Sequence, residues 1–135
     1  MVSVENDADL LVTFGMETIN RLHEVDSLLL KLKEGSTSFE SSINQIFRDA
    51  HSIKSGANLL KLSKIEQLAH AVEDVLHVLR ERKIIPDKQS IKIIIEATDF
   101  IRQLIYMIKL SNHADIESIV KRLNGLAVSL QNQRN

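Results

Sequence analysis

His51 and Lys54 stand one helical turn apart, and Glu66, His70, Glu73 and His77 recur at steps of four, three and four. Such spacing puts each set on one face of its helix. An imidazole open to water is a competent nucleophile near neutral pH, because most of it is unprotonated there. A carboxylate that accepts a hydrogen bond from one ring nitrogen fixes the tautomer and leaves the other nitrogen's lone pair free to attack. A nearby ammonium group stabilises negative charge gathering on a transferring phosphoryl group. The chain holds all three parts, so the question passes to the elements that must bring them together.

Apolar residues recurring three and four apart predict five helices, over about Asp7 to Lys33, Ser38 to Leu60, Ser63 to Arg82, Asp87 to Leu110 and Asp115 to Leu130. On a wheel of ~100° per residue, the inner face of the second helix centres on Ala50 and His51 falls on its flank. Asn44, Phe47, Arg48, His51, Lys54, Ser55 and Asn58 form a stripe along that flank. The histidines and glutamates of the third helix form a matching stripe beside its apolar seam. Ser63 and Glu66 have the spacing of a capping box at the start of this helix, and Pro86 stops anything before it from continuing as helix. Links this short force antiparallel neighbours. The expected fold is all-α, an antiparallel up-and-down bundle with a four-helix core plus a fifth helix. It forms a single domain over residues 1–135, with its core in 7–126 and a frayed tail in 131–135. Packed antiparallel, the two stripes face each other along one groove.

Composition narrows the function. Seventeen Lys and Arg against eighteen Asp and Glu leave a net charge of -1 in 135 residues, with no basic field to hold nucleic acid. The absence of Cys removes disulfides, thiolate catalysis and thiolate-held metal, and accords with a reducing cytoplasm. Glu5, Asp7 and Asp9 carry the wrong sign for a secretory signal, and no apolar run approaches the ~18 to 20 residues of a membrane span. A cytoplasmic protein without membrane or nucleic-acid partners is expected. No glycine pattern resembles a nucleotide-binding loop.

His51-Ser52-Ile53-Lys54-Ser55-Gly56-Ala57, preceded by Gln45-Ile46-Phe47-Arg48-Asp49-Ala50, resembles the phosphorylation-site motif of histidine-containing phosphotransfer (HPt) domains. It is similar in particular to the N-terminal domain of chemotaxis-type (CheA-like) histidine kinases. Leu68-Ala69-His70-Ala71-Val72-Glu73-Asp74-Val75-Leu76 matches a second segment of that family. The resemblance runs from about Asp7 to Leu126. It implies that His51 is phosphorylated, that Glu73 hydrogen-bonds its far ring nitrogen, and that Lys54 and His70 tune the imidazole and receive the phosphoryl charge. Gly56 is implied to leave room for a partner, and Ser52, Ser55, Asn58 and Leu59 on the same helix are expected to meet that partner. Ser55 departs from a glycine common in the family. Asn58 and Lys61 stand in a connection where glycines are frequent, which puts the turn before Ser63 in question.

The resemblance also implies the partners: a histidine kinase catalytic domain as donor and a response-regulator receiver domain as acceptor. The domain is expected to bind no cofactor of its own, with ATP and Mg²⁺ supplied through those partners. It is read as a carrier in two-component signalling rather than a stand-alone enzyme, either a piece of a CheA-like kinase or a free-standing phosphorelay protein. Other readings compete. A helical histidine on a polar flank is more often only a solvated residue, which would make the chain a structural interaction module with an incidental His51. Helix bundles also hold metals through paired Glu-x-x-His motifs, but this chain has none, so no metal is expected. His23, His77 and His113 are read as uninvolved. Ile91 to Ile95 is read as core or an oligomer face, and Leu59, Leu60 and Leu62 as a candidate apolar docking patch.

Overall fold

The computed structural model describes residues 4–133. Five α-helices run α1 (Val4–Glu34), α2 (Phe39–Leu59), α3 (Ser63–Glu81), α4 (Lys88–Tyr106) and α5 (Glu117–Gln131), with a 3-10 segment over Ile108–His113 between the last two. α1 packs on α2 and α4, and α3 packs on α2, α4 and α5, the α2–α3 interface being the most extensive. Cross-helix contacts give the directions. Phe14 of α1 meets Gly56 of α2, Asn58 and His51 of α2 meet Glu66 and Glu73 of α3, and Asp26 of α1 meets Arg102 of α4. Each of these pairs is antiparallel. α5 lies antiparallel to α4, joined by Arg122 to Glu96, and therefore runs alongside α3.

The core fills with the predicted seams. Leu22, Leu29, Ile43, Ile46, Ile65, Leu68, Leu76, Leu79, Ile94, Ile101, Leu104 and Leu123 are fully buried. Ile91, Ile93 and Ile94 are core residues, which removes most of the suspected oligomer face. A polar network ties α1 to α4. The Arg102 guanidinium spans Asp26 at 2.5 Å and Asp99 at 2.6 Å, and Thr98 donates to the other Asp26 oxygen at 2.8 Å.

Helix ends show where the expected boundaries change. No capping box forms: the N-cap position of α3 is Leu62, Ser63 donates to Asn112, and Glu66 accepts from Asn58 instead of reaching back along its own helix. α4 stops four residues early, at Tyr106 rather than Leu110. Neither glycine nor proline marks that stop. Asn112 donates to the Lys61 carbonyl at 3.0 Å, so the segment after α4 is tied to the α2–α3 turn. In the tail, Arg82 donates to the carbonyls of Gln131 and Gln133; residues 134–135 lie outside the described residues.

Gly35, Lys61 and Lys83 all have positive φ, at 71°, 60° and 56°. Each occupies the left-handed position of a Schellman turn. After α2, Leu62 N–H donates to Ala57 C=O and Lys61 N–H to Asn58 C=O, and after α3 Ile84 and Lys83 repeat the pattern on Leu79 and Arg80. The doubtful turn is therefore a regular one with the strain placed on Lys61, while Asn58 stays helical. A left-handed backbone costs a residue with a Cβ about 1 kcal/mol or more, part of which a glycine repays as unfolded-state freedom. Lys61→Gly should therefore raise the unfolding midpoint by a few degrees, measured by thermal denaturation followed by circular dichroism.

Asp49 is buried in α2, with one oxygen accepting from Gln45 at 3.3 Å and Oδ2 without a partner among the described residues. Burial, with Glu24 of α1 beside it, pushes its carboxyl up to about 7, against weaker lowering by Gln45 and Arg21. A folded pKa above the unfolded one gives a contribution that is complete below the unfolded carboxylate range and lost as pH rises through about 7. The wild-type midpoint should accordingly fall between pH 5 and pH 8 more steeply than that of Asp49→Asn, and parallel pH profiles would contradict the assignment.

Candidate functional site

The second and third helices place the two polar stripes opposite each other. His51 Nδ1 lies 2.6 Å from Glu73 Oε2, and Lys54 Nζ donates to Glu73 Oε1 at 2.6 Å. The carboxylate is buried, with 9% of its side chain exposed, whereas the imidazole is 56% exposed. A carboxylate oxygen at this distance requires a donor, so the Nδ1 atom carries the proton. In the neutral ring Nε2 then keeps its lone pair. Burial alone would push the Glu73 carboxyl up, but hydrogen bonds from Lys54 and His51, with the charge those groups supply, hold it below the usual carboxylate range. It therefore stays ionised at neutral pH, and its stabilising contribution is lost only as pH falls through that lowered value.

His51, Lys54 and Glu73 are brought together as expected. His70 is not. Its exposed ring turns along α3 to Asp74, 3.5 Å away, and it sits at the rim of a groove shared with Lys54, Ser55, Asn58, Leu59, Glu66 and Gln67. Ser52, Ser55 and Asn58 are exposed on α2, and Leu59 is 81% exposed. The apolar patch shrinks to Leu59 and part of Leu60, since Leu62 is buried beneath the turn. Gly56 is small for an internal reason. A Cβ there would stand 2.8 Å from the Phe14 ring, so the residue serves the approach of α1. One ligand atom each of His70, Glu73 and Asp74 lie within 4.8 Å of one another, but both Glu73 oxygens already accept hydrogen bonds.

A wall of side chains from α2 and α3 stands beside the imidazole. The Phe47 ring is stacked with that of His51, at 6.5 Å between centroids and 11° between planes. The Arg80 guanidinium lies 3.9 Å from the Phe47 centroid, and the His77 ring is tilted against the same phenyl at 6.3 Å. The available signal was the four-residue step from Phe47 to His51, which places both rings on one helix face. No helix among the described residues is long and apolar enough to cross a membrane.

Because Glu73 is buried, Lys54 carries more stability than a surface lysine would. Lys54→Met should leave half of a buried carboxylate without a donor and cost about 1–3 kcal/mol in denaturant unfolding, against a few tenths for Lys64→Met on the half-exposed start of α3.

The Hpt domain family model matches residues 9–123. The chain is 33% identical to a chemotaxis protein CheA of Rhizobium meliloti over 91 residues, 67% of this chain and 12% of that protein. It is 31% identical to a CheA of Klebsiella aerogenes over 124 residues, 90% of this chain and 19% of that protein. The chain thus spans less than a fifth of the length of these relatives. Its fold matches the phosphorylated P1 domain of CheA3, solved in complex with CheY6 from R. sphaeroides, with a TM-score of 0.77 and 19% identity over 90% of this chain and 98% of that one.

Proposed function

The chain belongs to the Hpt domain family, the phosphocarrier domains of two-component signalling, and from that premise we propose that His51 is its phosphoacceptor. The observation that carries this reading is the contact of Glu73 with Nδ1, which leaves Nε2 as the nucleophile on a half-open ring. In the forward step the Nε2 lone pair forms a bond to the γ-phosphorus of ATP held by a histidine kinase catalytic domain. The bond from that phosphorus to the bridging oxygen breaks, and its electron pair leaves with ADP. The Nδ1 proton stays, donated to Glu73, whose negative charge offsets the positive charge the ring acquires. Lys54, on the other Glu73 oxygen, keeps that carboxylate ionised and adds positive charge near the phosphoryl group.

Onward transfer reverses the polarity. A carboxylate oxygen of an aspartate on a response-regulator receiver attacks phosphorus, the N–P bond breaks, and its electrons return to Nε2. ATP and Mg²⁺ enter through the partners, and the domain itself works as substrate and carrier. The exposed side of α2, with Ser52, Ser55, Asn58 and Leu59, is the surface we assign to partner docking, with His70 at its edge. Likeness to CheA proteins over most of the chain supports a place in a chemotaxis-type kinase over that of a free-standing relay protein.

Incubation with Mg-ATP and a CheA-type kinase core lacking its own phosphotransfer domain tests the assignment. Wild type should gain one acid-labile phosphoryl group and His51→Gln none; equal labelling of the two, or labelling of neither, overturns it. Glu73→Gln should fold normally yet be phosphorylated at least about ten-fold more slowly, because an amide that donates to Nδ1 drives the proton onto Nε2. Wild-type kinetics in that variant would remove Glu73 from the mechanism.

A further inference from the structure

One in-plane hydrogen bond does not define the plane of a ring. Carboxylate oxygens accept over a broad range of directions, so the Glu73 contact fixes where Nδ1 sits while leaving the imidazole free to rock about that anchor. A second restraint is present. Phe47, one turn before His51 on α2, lies within 11° of parallel to the imidazole, at a centroid separation of 6.5 Å that fits offset stacking. The phenyl is itself immobilised. It packs against the core from a half-buried position, and α3 grips it through the Arg80 guanidinium, 3.9 Å from its centroid, and the tilted ring of His77. A face of fixed orientation thus stands beside a nucleophile whose lone pair must point along the line of attack.

We propose that Phe47, clamped from α3 by Arg80, is a positioning residue that sets the plane of the His51 imidazole and so the direction of the Nε2 lone pair. The claim about rate rests on His51 being the phosphoacceptor. The claim about ring orientation does not, and the two are separable by experiment.

In the full chain, Phe47→Leu keeps an apolar side chain of similar reach and removes the flat face. With the kinase core, kcat for phosphorylation should fall about ten-fold with KM nearly unchanged, as misaimed reacting atoms predict. In the unphosphorylated variant the His51 ring protons should lose the ring-current shift imposed by Phe47 in proton NMR, while nitrogen NMR still reports the proton on Nδ1. Phe47→Tyr, which preserves the face, should restore both kcat and the shift. Arg80→Met, which leaves Phe47 in place but unclamped, should broaden the His51 ring resonances and lower kcat by a smaller factor. A wild-type kcat in Phe47→Leu, a Tyr variant as slow as the Leu variant, or a defect confined to KM would overturn the proposal. Lack of label on wild-type His51 would instead overturn the phosphoacceptor reading, with the ring-current comparison still deciding the orientation.

Discussion

A carboxylate taken out of water must be fully hydrogen-bonded or it will neutralise. Glu73 meets that demand with one donor on each oxygen, Lys54 on Oε1 and His51 on Oε2, and the arrangement of the site follows from it. The ionised carboxylate holds the proton of the imidazole on Nδ1, and the tautomer leaves the Nε2 lone pair free. The ammonium keeps the carboxylate charged in a place where burial alone would tend to protonate it. A buried charge is thereby coupled to an exposed ring, and the reactivity of the ring depends on the register of two helices.

That register is held from both ends of the α2–α3 hairpin. At the turn, a Schellman cap closes α2 with Lys61 in the left-handed position and Leu62 turned into the core. Asn112 then fastens this turn to the segment after α4 by accepting from Ser63 and donating to the Lys61 carbonyl. Further along, Phe14 of α1 packs where Gly56 leaves room, which sets how closely α1 approaches the helix that carries His51. At the other end, the Phe47 and Arg80 contact joins the helices again, so the site lies between two cross-helix ties.

The seams of the five helices were legible because a 3.6-residue period leaves a direct trace in apolar spacing, and Ile43, Ile65, Leu68 and Ile94 are all buried as that trace requires. The same periodicity located His51, Lys54 and Glu73 on flanks that face one another. Local rules were less dependable where long-range partners competed. Ser63 and Glu66 have the spacing of a capping box, yet both side chains bond to residues outside their own helix, Asn112 and Asn58. His70 stands one turn before Glu73 and lies within 4.8 Å of its carboxylate, yet its ring pairs with Asp74 on its own helix at 3.5 Å.

From the amino-acid order alone came the helical class, the antiparallel order of neighbours and the facing stripes that hold His51, Lys54 and Glu73, since each depends on spacing within one or two helices. Contacts between residues distant in sequence decided the rest. The end of α4 at Tyr106, the reason Gly56 is small and the contact of Phe47 with Arg80 all depend on how helices meet in space. Periodicity specifies which face a residue occupies, whereas the choice among neighbours on that face is made only when side chains from separate helices compete for the same volume and the same hydrogen bonds.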